Sequence, residues 1–537
     1  MTVTAPRRAP PRSAVRGLTS RPVAAAAACA LVFALVVEVA PVVGGDLTAQ
    51  AWWASWALSF GSPVDFGWYG GVPVASYSLV SPWIGALLGL PLAGILGTVL
   101  GAASTTALLG RLRPVPARWT AAGVVAAATW AADQWSGRTT FGVGAAVGTL
   151  ALLVVSRPAG RGARPVGAAL AVLAGATSPL ASVFLLVAAA AWWWGTRVAP
   201  PAGRFRGRPA GPWWIAAGAL LPVGAARLLG AVSGPEPFST HQALGALAAT
   251  GLTWALVPPG HRVLRAGVAA TAGLLLLTWA ISSPLGSNSV RLVLLFAAPV
   301  IVAVARTEWP ATLLAALAVL WLLPPVLMDD FEARDTGPAR ERAAPLLQEL
   351  AERGPVGRIE VVPMHGHEDS TEVAATFPLA RGWLRQLDTV RDRLFYDGSL
   401  DAPRYLRWLR DTGASYVALP SGPLDWPARG EAALLRRGVP GLREVWADRS
   451  WRLFEVPGRG VVGAGGSLVA SDRSRMVVDV AAPGRVEAAL WWSRWSSVEG
   501  PSGCIRPGNR PGWTTLVADR PGRYVLTSSW TPRGRCG

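Results

Sequence analysis

Residues 45–82 read GDLTAQAWWASWALSFGSPVDFGWYGGVPVASYSLVSP. This is the first polar interruption after an apolar run, and it carries two carboxylates, Asp46 and Asp65, among Trp52, Trp53, Trp56, Phe60, Trp68 and Tyr69. Trp and Tyr favour the interface between membrane and water, so the stretch reads as a loop lying on a membrane surface. On that reading the chain on either side is membrane-embedded.

Composition agrees. Of 537 residues, 51% are hydrophobic and only 15% charged, against about a quarter charged in soluble domains. Charge is also uneven. Residues 1–328 hold 21 Arg and 6 Asp/Glu, whereas residues 329–537 hold 29 Arg and 26 Asp/Glu. The formal net charge of +18 does not point to nucleic acid, because the excess lies in the apolar half, where arginines cluster in short loops as the positive-inside rule requires. There is no Lys.

The order along the chain follows. Residues 1–21 form a basic cytoplasmic tail, residues 22–328 a transmembrane domain with its outer loop at 45–82, residues 329–460 an extracytoplasmic α/β domain, and residues 461–537 an extracytoplasmic β-rich module. The expected spans number about eleven: Pro22–Gly44, Ser76–Gly110, Ala117–Trp135, Thr139–Ser156, Pro165–Ala176, Pro179–Gly195, Pro212–Leu229, Ala243–Val257, Ala266–Ser282, Leu292–Ala305 and Pro310–Met328. About 20 residues suffice to cross, so the second run is too long for one crossing, and Pro91 marks it as broken or re-entrant. With the N-terminus inside, alternate loops should be basic. Arg111, Arg113 and Arg118; Arg157, Arg161 and Arg164; Arg197 to Arg208; Arg262 and Arg265; and Arg306 fit that alternation. The expected class is therefore a polytopic α-helical membrane protein of the plasma membrane, with C-terminal α/β and β-sandwich-like modules outside.

Charged groups in or near a bilayer are costly and are functional candidates by default. The membrane half has Glu38, Asp46, Asp65, Asp133, Glu236 and Glu308. The topology places Asp46, Asp65, Asp133 and Glu236 on the outer face, together with Arg138, Arg227, His241 and Arg291. Carboxylates beside cations able to hold a phosphate are what transfer from a lipid-linked phosphosugar requires. Asp46 is the candidate catalytic group, as a general base or as an oxygen ligand for a divalent cation. The competing reading is that it only ends a helix. Asp133 and Arg138 flank one loop and are equally readable as an ion pair.

In the outer domain, HGHED (His365 to Asp369) reads as an exposed polar loop or a weak metal-ligand cluster. FPLARGWLRQLDTVRDRLFY (Phe377 to Tyr396) offers Arg381, Trp383, Arg385 and Gln386 for a sugar, and is equally readable as a packing helix. Cys504 and Cys536 form a candidate disulfide if the tail is extracytoplasmic, and Cys29 falls inside an apolar run. No P-loop, HExxH, GxSxG or CxxC motif is present, which leaves ATP hydrolysis, zinc proteolysis and thiol redox chemistry without support.

The sequence GD after the first span, followed by WYGGVP and YSLVSP, resembles polytopic GT-C-type glycosyltransferases. SGRTTFGVG and ARGWLRQLD look more narrowly like the actinobacterial membrane proteins labelled 6-pyruvoyl-tetrahydropterin-synthase-related. The resemblance implies a GT-C-like fold of roughly a dozen helices, a catalytic Asp in the first outer loop at Asp46, a polyprenyl-phosphate sugar donor and an extracytoplasmic C-terminal domain. The acceptor would be an envelope glycan or lipid. Such proteins often carry a second acidic residue or a His close behind the Asp, and here Gln50 stands in that place. A flippase of lipid-linked precursors and a non-catalytic envelope scaffold are the alternatives.

Overall fold

The computed structural model describes residues 20–39, 45–59, 61–156, 162–197, 210–322, 338–458 and 460–537. Most of the basic tail, the end of the first apolar run and the boundary near residue 329 lie outside these.

The apolar half is helical. In order come α1 (Arg21–Val39), α2 (Gly45–Ser59), α3 (Ser81–Leu88), α4 (Leu90–Leu109), α5 (Trp119–Trp135), α6 (Thr139–Val155), α7 (Ala163–Thr177), α8 (Pro179–Arg197), α9 (Gly211–Leu228), α10 (Thr240–Leu256), α11 (Arg262–Ala280), α12 (Arg291–Val304) and α13 (Trp309–Trp321). Among the described residues, five segments, α1, α4, α8, α11 and Gly286–Val304, are long and apolar enough to cross a membrane. Lipid gives no hydrophobic drive between helices, so close approach depends on small residues. In α1, Ala26, Ala30 and Ala34 are fully buried while Leu31, Val32, Leu35 and Val36 stand exposed. That face has a physical home only in lipid. On α9, Gly218 approaches α7 so closely that a β-carbon there would stand 2.5 Å from the Ala168 carbonyl oxygen. The long second run divides at Gly89, which adopts φ +75°, and Pro91 lies in the first turn of the helix that follows.

The two ends of the bundle differ in chemistry. At one end, Arg118 donates to the Thr307 carbonyl and to Thr312 Oγ1, and Arg265 donates to the Val257 carbonyl. The polar half of the chain docks on the other end. After a helix, Ala339–Glu352, it forms a four-stranded sheet in the order β3-β4-β6-β5, from β3 (Arg358–Val361), β4 (Ala414–Pro420), β5 (Arg443–Ala447) and β6 (Trp451–Glu455). Strands β3 and β4 run parallel, and the other pairs run antiparallel. Two antiparallel sheets follow. One is Ser496–Glu499, Gly522–Ser528, Arg475–Val480 and Gly466–Ser471; the other is Gly503–Pro507, Thr514–Ala518 and Gly484–Ala488. They share a core of Val478, Val486, Ile505, Leu516 and Leu526. Cys504 and Cys536 are joined as a disulfide with Cα atoms 5.0 Å apart.

The first outer stretch departs from the surface loop expected of it. Gly45–Ser59 is a helix, and Trp52, Trp53, Trp56 and Trp68 are buried. They share one core with Leu346, Leu350 and Ile359 of the α/β domain. Trp52 and Trp68 stack with centroids 4.8 Å apart. A two-stranded hairpin, β1 (Val64–Asp65) with β2 (Val72–Pro73), then sends Val64 and Phe66 into the sandwich core. Aromatic side chains dominate core energetics where a partner surface exists, and here the folded outer domain is that surface. The stretch thus joins membrane helices, α/β sheet and sandwich.

Candidate functional site

Between the docked domain and the helix ends lies a cavity of about 940 Å³. Its membrane-side wall includes Leu180 and Val183 of α8, Val223 of α9 and Leu294 of α12, and its other wall includes Trp383, Arg385, Gln386, Asp425 and Trp426 of the α/β domain. Asp46, Arg138, Glu236, Arg291, Trp383, Arg385 and Gln386, all expected as site residues, line this one space.

Asp46 sits in the first turn of α2, where unpaired backbone N–H groups favour an anion. Its carboxylate is 3.1 Å from Arg291 Nη2 and 4.0 Å from Arg138 Nε. The side chain is 41% exposed, whereas the two arginines are 15% and 13% exposed. The carboxylate is therefore the accessible member of a group whose cations are held by protein. Gln50, one turn on, fixes this geometry. Its Nε2 donates to the Asp46 and Gly137 carbonyls at 2.8 and 2.5 Å, and its Oε1 accepts from Thr140 N and Oγ1 at 2.7 and 3.0 Å. Gly137 takes φ +69°, which turns its carbonyl to that role at no steric cost. The amide offers both a donor pair and an acceptor, which neither a carboxylate nor an imidazole does. Gln50 thus locks α2 to the α5–α6 turn.

On the facing wall, Trp383 Nε1 donates to the Gly45 carbonyl at 2.6 Å, one residue before Asp46. The His367 ring stacks on Trp383 with centroids 3.7 Å apart. His367 Nε2 also meets Asp425 Oδ2 at 3.1 Å, which Arg385 Nη2 approaches at 2.7 Å. Burial works against the Asp425 charge, but Arg385 and His367 together hold that carboxyl well below the usual range. Burial lowers the His367 pKa despite Asp425. Arg385 Nη1 continues to Tyr396 Oη at 3.1 Å, which donates to Asp388 Oδ2 at 2.5 Å. Glu236, in the α9–α10 connection, is pushed up to about 7 by burial, with Arg385 pulling the other way.

Four expected site residues fall outside the cavity lining. Asp65 is fully buried and accepts from Arg473 Nε and Nη2 at 3.2 and 2.7 Å, and from Gly67 N at 2.7 Å. Its role is to tie the hairpin to the sandwich. Arg381 is buried in the α/β domain, bonded to Glu360 and Glu431 with its guanidinium 3.7 Å from the Phe395 ring centroid. Asp133 is buried behind the cavity wall in α5, and His241 is exposed in the first turn of α10. Of HGHED, His365 lines the cavity and Asp369 is paired with Arg342 at 2.9 Å, while His367 is buried at φ +58°. Among the described residues, no three His, Cys, Asp or Glu side chains converge as a metal site. Two guanidiniums beside Asp46 further disfavour a divalent cation there, so its donor set does not fit one.

Sequence reasoning missed Asp425 and the role of Gln50. Asp425 lies in GPLDWPARG, and its partners are 58 and 40 residues away, so no local spacing signals it.

No family model matches the chain, and no curated protein does. Among solved structures, ArnT from Cupriavidus metallidurans bound to undecaprenyl phosphate is similar at 14% identity and a TM-score of 0.47, over 81% of this chain and 98% of that one. The apo state of the same protein is similar at 14% identity and a TM-score of 0.47, over 83% and 99%.

Proposed function

We propose that this chain is a GT-C-type membrane glycosyltransferase that takes a sugar from a polyprenyl-phosphate donor at the outer face of the plasma membrane, for cell-envelope glycan assembly. One observation carries the reading: Asp46, the accessible carboxylate of the cavity floor, stands between Arg291 and Arg138 where apolar helix walls meet a polar domain wall. An acceptor hydroxyl attacks the anomeric carbon, and its proton passes to Asp46 as general base. The bond between that carbon and the phosphate oxygen breaks, and polyprenyl phosphate leaves with its new charge held by the two guanidiniums. Gln50 keeps Asp46 in place. The chemistry needs no cation, because the arginines supply the positive charge.

The orientation is supported by Arg111, Arg113, Arg118, Arg262, Arg265 and Arg306 at the opposite end, the side that the positive-inside rule assigns to the cytoplasm. The Cys504–Cys536 disulfide suits an oxidising compartment for the domain.

Binding of undecaprenyl phosphate to the full chain in lipid nanodiscs tests the donor side. Arg138→Ala and Arg291→Ala should each weaken it at least tenfold, because each removes a charge-assisted contact to the phosphate. A double variant that binds as tightly as the native chain refutes the assignment.

A further inference from the structure

The cavity has a second set of polar groups, mostly on the outer-domain wall, that the transfer chemistry above leaves unused. Trp426 is 50% exposed yet lines the cavity, so a large aromatic face is open to whatever enters. Its position is fixed. Its backbone N–H donates to Asp425 Oδ1 at 2.8 Å, and the Asp425 Oδ2 is held by Arg385 and His367. Its ring meets Tyr396 edge-on at 5.5 Å, and the Arg385 guanidinium lies 5.4 Å from its centroid and 4.5 Å from that of Trp383. Arg429, Gln386 and Glu236 line the same space. Asp425 is itself buried, so this is a preorganised arrangement.

We infer that Trp426 and its neighbours form a saccharide subsite that receives the acceptor. This rests on the glycosyltransferase reading for the word acceptor, and on geometry alone for the saccharide. A pyranose ring has one face of polarised C–H groups and a rim of hydroxyls. The C–H face suits the negative face of an indole, and the hydroxyls suit the amide, guanidinium and carboxyl groups of Gln386, Arg429 and Glu236. A lipid tail would meet ionic groups there, whereas the apolar wall of α8 and α12 lies on the membrane side. The donor phosphate is accounted for at Arg138 and Arg291. The saccharide at Trp426 therefore enters from the aqueous side, and Arg385 connects Trp426 to Trp383, whose Nε1 donates to the Gly45 carbonyl next to Asp46.

Saturation-transfer NMR on the full chain in nanodiscs, without polyprenyl lipid, reads this directly. The probes are lipid-free gluco-, galacto- and manno-oligosaccharides of two to four residues. At least one should bind the native chain, Trp426→Ala should weaken it tenfold or more, and Trp426→Phe should stay within about threefold. Undecaprenyl phosphate binding should be unchanged in both variants, which also shows that they fold. Failure of every probe to bind, or equal binding by native chain and Trp426→Ala, overturns the subsite. Saccharide binding that depends on Trp426 in a chain that transfers no sugar keeps the subsite and refutes the glycosyltransferase reading instead.

Discussion

Replacing Asp65 by Ala should cost stability rather than donor binding. The Arg473 guanidinium beside it is nearly buried, donates to Ser55 Oγ and the Trp52 carbonyl, and lies 3.4 Å from the Trp52 ring centroid. Removing Asp65 takes a carboxylate away from that charge where little water can replace it. Breaking a buried pair by removing one member costs about 3–5 kcal/mol. Burial raises the Asp65 pKa against the pull of Arg473, so desolvation is the dominant electrostatic cost at this site. For a unit the size of the outer domain, about 3–5 kcal/mol corresponds to a fall of roughly 6–20 °C in its unfolding midpoint. The assay is thermal unfolding of the full chain in nanodiscs, followed by proteolysis of the outer domain, with undecaprenyl phosphate binding measured below the transition. The double variant Asp65→Leu/Arg473→Met removes both charges and should recover at least half of the loss, since apolar replacement of a buried pair is often near neutral. A midpoint shift under 2 °C for Asp65→Ala, or a loss of lipid binding with stability intact, would refute a structural role and return Asp65 to the binding site.

Two further outcomes are expected. Trp53, fully buried and stacked on Tyr77 at 5.9 Å, should cost about 3–5 kcal/mol when replaced by Ala, read as the same midpoint; a surface-loop Trp would cost almost nothing. Glu236 holds its proton more tightly folded, at about 7, than at its ordinary value of 4.5. Its contribution to stability is fully present below about 4.5 and is lost as pH rises through about 7, so Glu236→Gln should flatten the midpoint-against-pH curve in that window, and an unchanged slope would contradict the upward shift.

The sequence reveals most where one residue type has one physical meaning. Pro91 announces the break in the second apolar run, and the chain does divide there, at Gly89. The scarcity of carboxylates in the apolar half makes Asp46 conspicuous, and the structure gives it two guanidinium neighbours. Tryptophan is different, because a membrane interface and a domain core both favour it. Trp52, Trp53, Trp56 and Trp68 read as interfacial until Leu346, Leu350 and Ile359, some 300 residues later in the chain, supply the surface that buries them. Asp65 misleads for the same reason, since Arg473 lies 408 residues away. Arg381 shares a segment with Trp383 and Arg385 but turns into the domain interior, a choice set by Glu360 and Glu431 rather than by local pattern. Gln50 looks like a lost acid in a sequence comparison, and its four hydrogen bonds show a positioning role.

The most direct test is sugar transfer by the full chain in nanodiscs, offered polyprenyl-phosphate sugars with envelope-extract acceptors, native against Asp46→Asn. The substitution keeps shape and removes the base, so transfer should fall about 10²–10⁴-fold with undecaprenyl phosphate binding retained. Transfer at the native rate by Asp46→Asn would contradict the account.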